Sequence, residues 1–148
     1  MKFSIIALAL LAFAAIGCMK VPEGTSILVT DSPEALCGER TNCYHAPSRT
    51  IVMVPNQSLR VLAHEGCHAH QHYTVLEELG REPRLDMSDW LDTSEAHDYA
   101  AVVDGRPTEW RLSADNLIED FAEGCARYMV GLPSTDARDT FFAERGFK

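Results

Sequence analysis

Apolar residues recur along this chain in three rhythms. From Phe3 to Ile16 they form an almost unbroken run behind the positive start Met1-Lys2. That run is too short to span a membrane and has the pattern of an export signal. Ser26–Thr30 and Thr50–Val54 are short and β-rich, and predict two strands, the second ended by Pro55. Asp31 to Ser48, between them, is rich in turn formers and predicts an irregular excursion.

After Pro55 the rhythm becomes helical. Leu59, Leu62, Ala63, Gly66, Ala69, Tyr73 and Leu76 share one face of a helix expected from Gln57 to Leu79. Asn56 or Ser58 caps it and Gly80 stops it. Gly66 inside it costs up to about 1 kcal/mol relative to Ala, which predicts a close approach by another segment. Arg81 to Trp90 is polar, contains Pro83, and reads as a rim loop. A shorter helix follows from Thr93 to Val103, capped by Asp92 or Thr93. Ile118, Phe121, Cys125, Tyr128 and Met129 mark a helix from Ala114 to Val130, with Ser113 as cap and Gly131 as stop. A last helix, Ser134 to Arg145, carries Phe141 and Phe142 toward the core. A strand or two followed by helices predicts an α+β, mostly helical domain with a small N-terminal sheet over 26–148. Residues 1–17 are then the signal and 18–25 a tether.

Charge and cysteine narrow the setting. A formal net charge of -9 argues against a nucleic-acid partner and against a polybasic membrane contact. Ala15-Ile16-Gly17-Cys18 resembles a bacterial lipobox, which implies lipidation of Cys18 and a place in the cell envelope. A plain secretory signal cut after Ala14 or Gly17 is the alternative. Five cysteines are an odd number for an exported protein. With Cys18 assigned to lipid, Cys37, Cys43, Cys67 and Cys125 allow two bridges in three connectivities. The local pair Cys37–Cys43 is the first expectation. That leaves Cys67 with Cys125, whose Cα atoms must then lie within about 4.4–6.8 Å.

The chemistry is concentrated in His64-Glu65-Gly66-Cys67-His68, an H-E-x-x-H pattern within the long helix. Residues four apart share a helix face, so His64 and His68 present two imidazoles that can share one zinc ion at about 2.0–2.1 Å. Glu65 is then placed to take a proton from water activated by that zinc, the chemistry of metal-assisted amide hydrolysis. His72 is two turns from His64, about 12 Å by helix rise, too far to share the ion. Gln71 and Thr74 stand where the longer metzincin pattern has Gly and His. His70 and His72 are therefore expected to be solvated or rim residues.

A third ligand is needed. Glu119 and Glu123 are four apart on one helix, with Glu119 suited to the metal and Glu123 to the outer nitrogen of a ligand histidine. Glu95, or Asp98, on the Thr93 helix is the alternative. Glu119-Asp-Phe-Ala-Glu123 after a distant H-E-x-x-H resembles the gluzincin metallopeptidases, in particular the lethal-factor-type catalytic domain and small bacterial relatives. The resemblance covers His64 to Met129. It implies a zincin-like domain with His64, His68 and Glu119 as zinc ligands, Glu65 as general base and Glu123 as the second acid. Such proteins carry a tyrosine shortly before the ligand glutamate to stabilise the oxyanion. Here Trp110-Arg111-Leu112 occupies that stretch, and Tyr99, His97 and Arg111 are the candidates. The expected activity is zinc-dependent cleavage of a peptide or protein substrate. A non-catalytic zinc-binding lipoprotein is the alternative.

Overall fold

The computed structural model describes residues 23–39, 41–103, 116–132 and 136–147. The fold is α+β and mostly helical, with one small sheet. Strand β1 is Ser26–Val29, β2 is Cys43–His45 and β3 is Thr50–Met53. Their order is β1-β3-β2, with β1 parallel and β2 antiparallel to β3. All four β3 residues are buried. The sequence pattern missed β2. Three residues with half-buried side chains carry too little alternation to read, and the strand is specified by pairing: Cys43 stands opposite Val52 and Tyr44 opposite Ile51. The excursion also contains a one-turn helix, α1, at Glu34–Cys37.

Helix α2, Leu59–Leu79, carries the H-E-x-x-H segment. The Ser58 side chain accepts a hydrogen bond from the Val61 N–H, and Gly80 closes the helix at a φ of 67°. Such a left-handed residue at a helix end favours glycine. Leu59, expected on the apolar face, is 62% exposed. Its place before the first full turn leaves it outside the packed interface. The polar stretch that follows is not a bare loop, because a 3-10 turn spans Ser88–Asp92. Fully buried Asp89 anchors it, accepting from the Arg84 N–H at 2.6 Å and from the Arg84 and Arg81 guanidinium groups.

Helix α3 is Ser94–Val103, and the Thr93 hydroxyl caps it by accepting from the Ala96 N–H. Helix α4 is Leu117–Met129 and begins later than the sequence suggested, because the Asn116 carboxamide accepts from the Ile118 N–H. Ser113, the expected cap, lies outside the described residues, as does Cys18. Helix α5 is Asp136–Glu144. Phe141 and Phe142 do enter the core, at 3% and 0% exposure. Phe121 is the centre of the aromatic cluster, with ring centroids 4.8 Å from Trp90, 5.1 Å from Tyr99 and 5.3 Å from Phe142. Gly124 lets α4 approach these rings. A Cβ there would sit 3.1 Å from the Tyr99 hydroxyl and 3.3 Å from the Phe142 ring.

Helices α2 and α4 pack on each other more extensively than any other pair of elements. A disulfide joins Cys67 to Cys125 across that contact, with the Cα atoms 6.3 Å apart. The second disulfide, Cys37–Cys43, closes the excursion with Cα atoms 5.7 Å apart. Both connectivities are those expected. Two bridges point to an oxidising, exported environment. Among the described residues no helix is long and apolar enough to cross a membrane.

The Cys67–Cys125 bridge closes a loop with a sequence separation of 58. Chain-entropy arguments give such a closure about 4 kcal/mol. Replacing both residues by serine should lower the denaturant-unfolding free energy by about that amount, whereas opening Cys37–Cys43, a separation of 6, should cost less.

Candidate metal centre

One exposed edge of the α2–α4 contact brings the expected residues together. His64 Nε2 and His68 Nε2 face each other at 3.2 Å. Glu119 reaches across from the first turn of α4, with Oε2 3.2 Å from His64 Nε2 and Oε1 3.4 Å from His68 Nε2. Donor atoms of a tetrahedral site with bonds of about 2.0–2.1 Å are about 3.3 Å apart. Each separation is close to that edge length, with Glu119 turning a different oxygen to each histidine, and one donor atom from each residue lies within 4.8 Å of the others. Two imidazole nitrogens and a carboxylate form a donor set that could hold zinc.

The surroundings of each donor are specific. His64 Nδ1 lies 3.5 Å from Glu123 Oε2. The other Glu123 oxygen accepts from Arg60 Nη1 at 2.5 Å, so a guanidinium holds the carboxylate behind the histidine. On His68 the second nitrogen, Nδ1, meets buried Gln71 rather than an acid. Sequence reasoning assigned Gln71 no part in the site. Its only signal was a glutamine three residues after His68, which a helix turns back toward that histidine.

Glu65 is 6% exposed on the same helix. Burial raises its carboxyl above the ordinary carboxylate range, against the pull of His68 and His64 and a hydrogen bond from the Tyr44 main chain. Burial pulls the His64 imidazole down, but hydrogen bonds to Glu119 and Glu123 outweigh it and raise the pKa to about 9. Hydrogen bonding to the His64 imidazole, with His68 also close by, holds the Glu119 carboxyl well below its usual range. A cleft of about 240 Å³ opens in front, walled by Cys43 and Tyr44 of β2, by Leu85 and Met87 of the rim loop, and by Glu65 and Glu119.

The alternatives go elsewhere. Glu95 accepts from Thr74 Oγ1 and Trp90 Nε1, both at 3.1 Å, and lies 2.8 Å from His70 Nε2, with no described contact to His64 or His68. Asp98 pairs with Arg145 at 2.6 Å. His70 and His72 are not solvated or at the rim, being 6% and 0% exposed. His70 stacks on Phe121, and His72 lies between the Tyr44 hydroxyl at 2.8 Å and Glu82 at 2.6 Å. Each is buried because a polar partner and an aromatic neighbour meet it there, which helix periodicity cannot report. Of the oxyanion candidates, Tyr99 is buried and donates to Asp120 Oδ2 at 2.7 Å. His97 is exposed on α3 and does not line the cleft, and Arg111 lies outside the described residues.

In the ion-free protein a proton on His64 binds the two glutamates. The folded pKa, about 9, exceeds the unfolded value of about 6.5. The stabilisation is therefore complete below the unfolded value and is lost as pH rises through about 9. An NMR titration of metal-stripped protein should place the His64 midpoint near 9, and Glu119→Gln should lower it. A cation that takes His64 Nε2 has to displace this proton, so its apparent affinity should rise with pH over the same interval. A His64 midpoint at or below the unfolded value would contradict this account.

Compared with protein-family models, with curated proteins and with solved structures, the chain matches none of them.

Proposed function

We propose that this protein is an exported zinc metallopeptidase that hydrolyses peptide bonds, with Glu65 as general base. The observation that supports it is the convergence of His64 Nε2, His68 Nε2 and the Glu119 carboxylate at 3.2–3.4 Å, beside a buried glutamate and behind an open cleft. Zinc bound there would polarise the scissile carbonyl and lower the pKa of water.

The chain's own residues do the rest. His64, His68 and Glu119 hold the ion, and Glu123, fixed by Arg60, orients His64 through Nδ1. Glu65 takes a proton from the attacking water and passes it to the leaving amine. Its raised pKa brings it closer to the proton affinity that such an exchange needs. Strand β2 lies at the edge of the sheet and in the wall of the cleft, so an extended peptide can lie along it. Lipid on Cys18 would tether the enzyme to the cell envelope. Without it the protein is secreted.

One observation favours the second reading, a zinc-binding lipoprotein without activity. Tyr99 turns into the core and His97 away from the cleft, so neither faces an oxyanion. Stoichiometric zinc with no cleavage across a broad peptide library selects that reading.

Two measurements test the proposal. Zinc at about a hundredfold over its Kd should stabilise the chelator-treated protein by about 2.7 kcal/mol, and an unmoved unfolding midpoint would remove zinc from the account. Glu65→Gln should keep stoichiometric zinc and lower cleavage by about 10²–10⁴-fold. Undiminished cleavage in that variant refutes the role of Glu65.

A further inference from the structure

We propose that Gln71 is a positioning residue that fixes the tautomer of His68 and so aims the lone pair of its Nε2 at the metal position. Gln71 is fully buried in α2, and its amide spans two elements. Nε2 lies 3.0 Å from the main-chain oxygen of Ile118, and Oε1 lies 2.8 Å from His68 Nδ1.

The direction of both hydrogen bonds follows from chemistry. A main-chain carbonyl can only accept, so the end of the Gln71 amide facing Ile118 must be its NH₂ group. The other end is then the carbonyl oxygen, which also can only accept. His68 Nδ1 must therefore donate. A neutral imidazole with its hydrogen on Nδ1 carries its lone pair on Nε2. That is the atom 3.2 Å from His64 Nε2 and 3.4 Å from Glu119 Oε1.

The fixed carbonyl at the start of α4 thus decides where the hydrogen sits on a histidine of α2. Ile118 also precedes Glu119 directly. The same amide therefore ties the His68 ring to the segment that delivers the carboxylate. A glutamate at position 71 could accept from His68 but would turn a second acceptor on the Ile118 carbonyl. The two histidines are thus served by different chemistry: His64 by a carboxylate held by Arg60, His68 by a neutral amide held by the backbone.

The consequence for zinc affinity rests on His64, His68 and Glu119 being the ligands, whereas the tautomer does not. Multiple-bond proton–nitrogen NMR on the metal-stripped, intact protein reads the tautomer. It should be run at mildly alkaline pH, where an ordinary imidazole is neutral. Competition with a chromophoric chelator reads zinc affinity. In the wild-type protein His68 should carry its hydrogen on Nδ1. Gln71→Met keeps the side-chain length and removes both polar ends. It should abolish that preference and weaken zinc by about 10–100-fold. A residue that only packs would lower the unfolding midpoint and leave tautomer and affinity unchanged. A wild-type His68 protonated on Nε2, or a folded Gln71→Met with wild-type zinc affinity, overturns the proposal. Should Gln71→Met fail to fold, the wild-type spectrum decides. Should the wild-type protein take up no zinc, the proposed function falls, and the His68 spectrum still decides the role of Gln71.

Discussion

The candidate centre depends on how closely α2 and α4 approach each other. Its donors come from two helices far apart in sequence, and their spacing has to be held to a few tenths of an ångström. Across the contact Cys125 is bonded to Cys67 and Phe121 stacks on His70, and Ala122 and Ala126 beside them on α4 are fully buried. The Cys67–Cys125 bridge crosses it within one turn of His64 and His68 on one side and two turns of Glu119 on the other. Gly124, next to Cys125, lets the Tyr99 and Phe142 rings close on α4. Relaxation of this packing would change the separation of the imidazoles and the carboxylate, because they stand on different helices.

Charge balance imposes the second constraint. Glu65, Glu119 and Glu123 stand around two histidines, with the Arg60 guanidinium reaching Glu123. In the absence of an ion this excess of acid is offset by a proton shared between His64 and its two carboxylates. The cluster therefore favours a positive charge at one point, and any cation bound there would have to displace the proton. Burial acts on Glu65 in the opposite sense and favours its protonated form. The carboxyl groups of Glu65 and Glu119 are thus pushed in opposite directions by their environments.

The interior of α2 is unusually polar for a central helix. Glu65, His68, His70, Gln71, His72 and Thr74 are all buried. Each described partner is a group of matching polarity: Glu95 for His70 and Thr74, the Tyr44 hydroxyl and Glu82 for His72, His68 and the Ile118 carbonyl for Gln71. Burying such groups is costly unless they are hydrogen-bonded, and among them His70 Nδ1 alone is buried without a partner. A second network ties α5 to the rest, with Arg138 bridging Asp120 and the Tyr99 hydroxyl. Asp120 adjoins Glu119, so this network also steadies the first turn of α4.

By itself the sequence determined the long helix, its glycine stop, the pairing of His64 with His68 and the docking of Phe141 and Phe142. Each of these is carried by spacing within one element, where geometry is fixed by the helix repeat. It also made Glu119 the leading third donor and Cys67–Cys125 the pairing left after the local bridge. The tertiary structure alone decided the rest. It placed Glu95 with His70, turned Tyr99 into the core, and added β2, which exists only through its pairing with β3. It buried His70 and His72, which look solvent-facing in a His-rich run. It also brought Gln71 between His68 and Ile118. The physical reason is the same each time: a polar side chain is buried or exposed according to the partner that another element brings to it, and local periodicity contains no information about that partner.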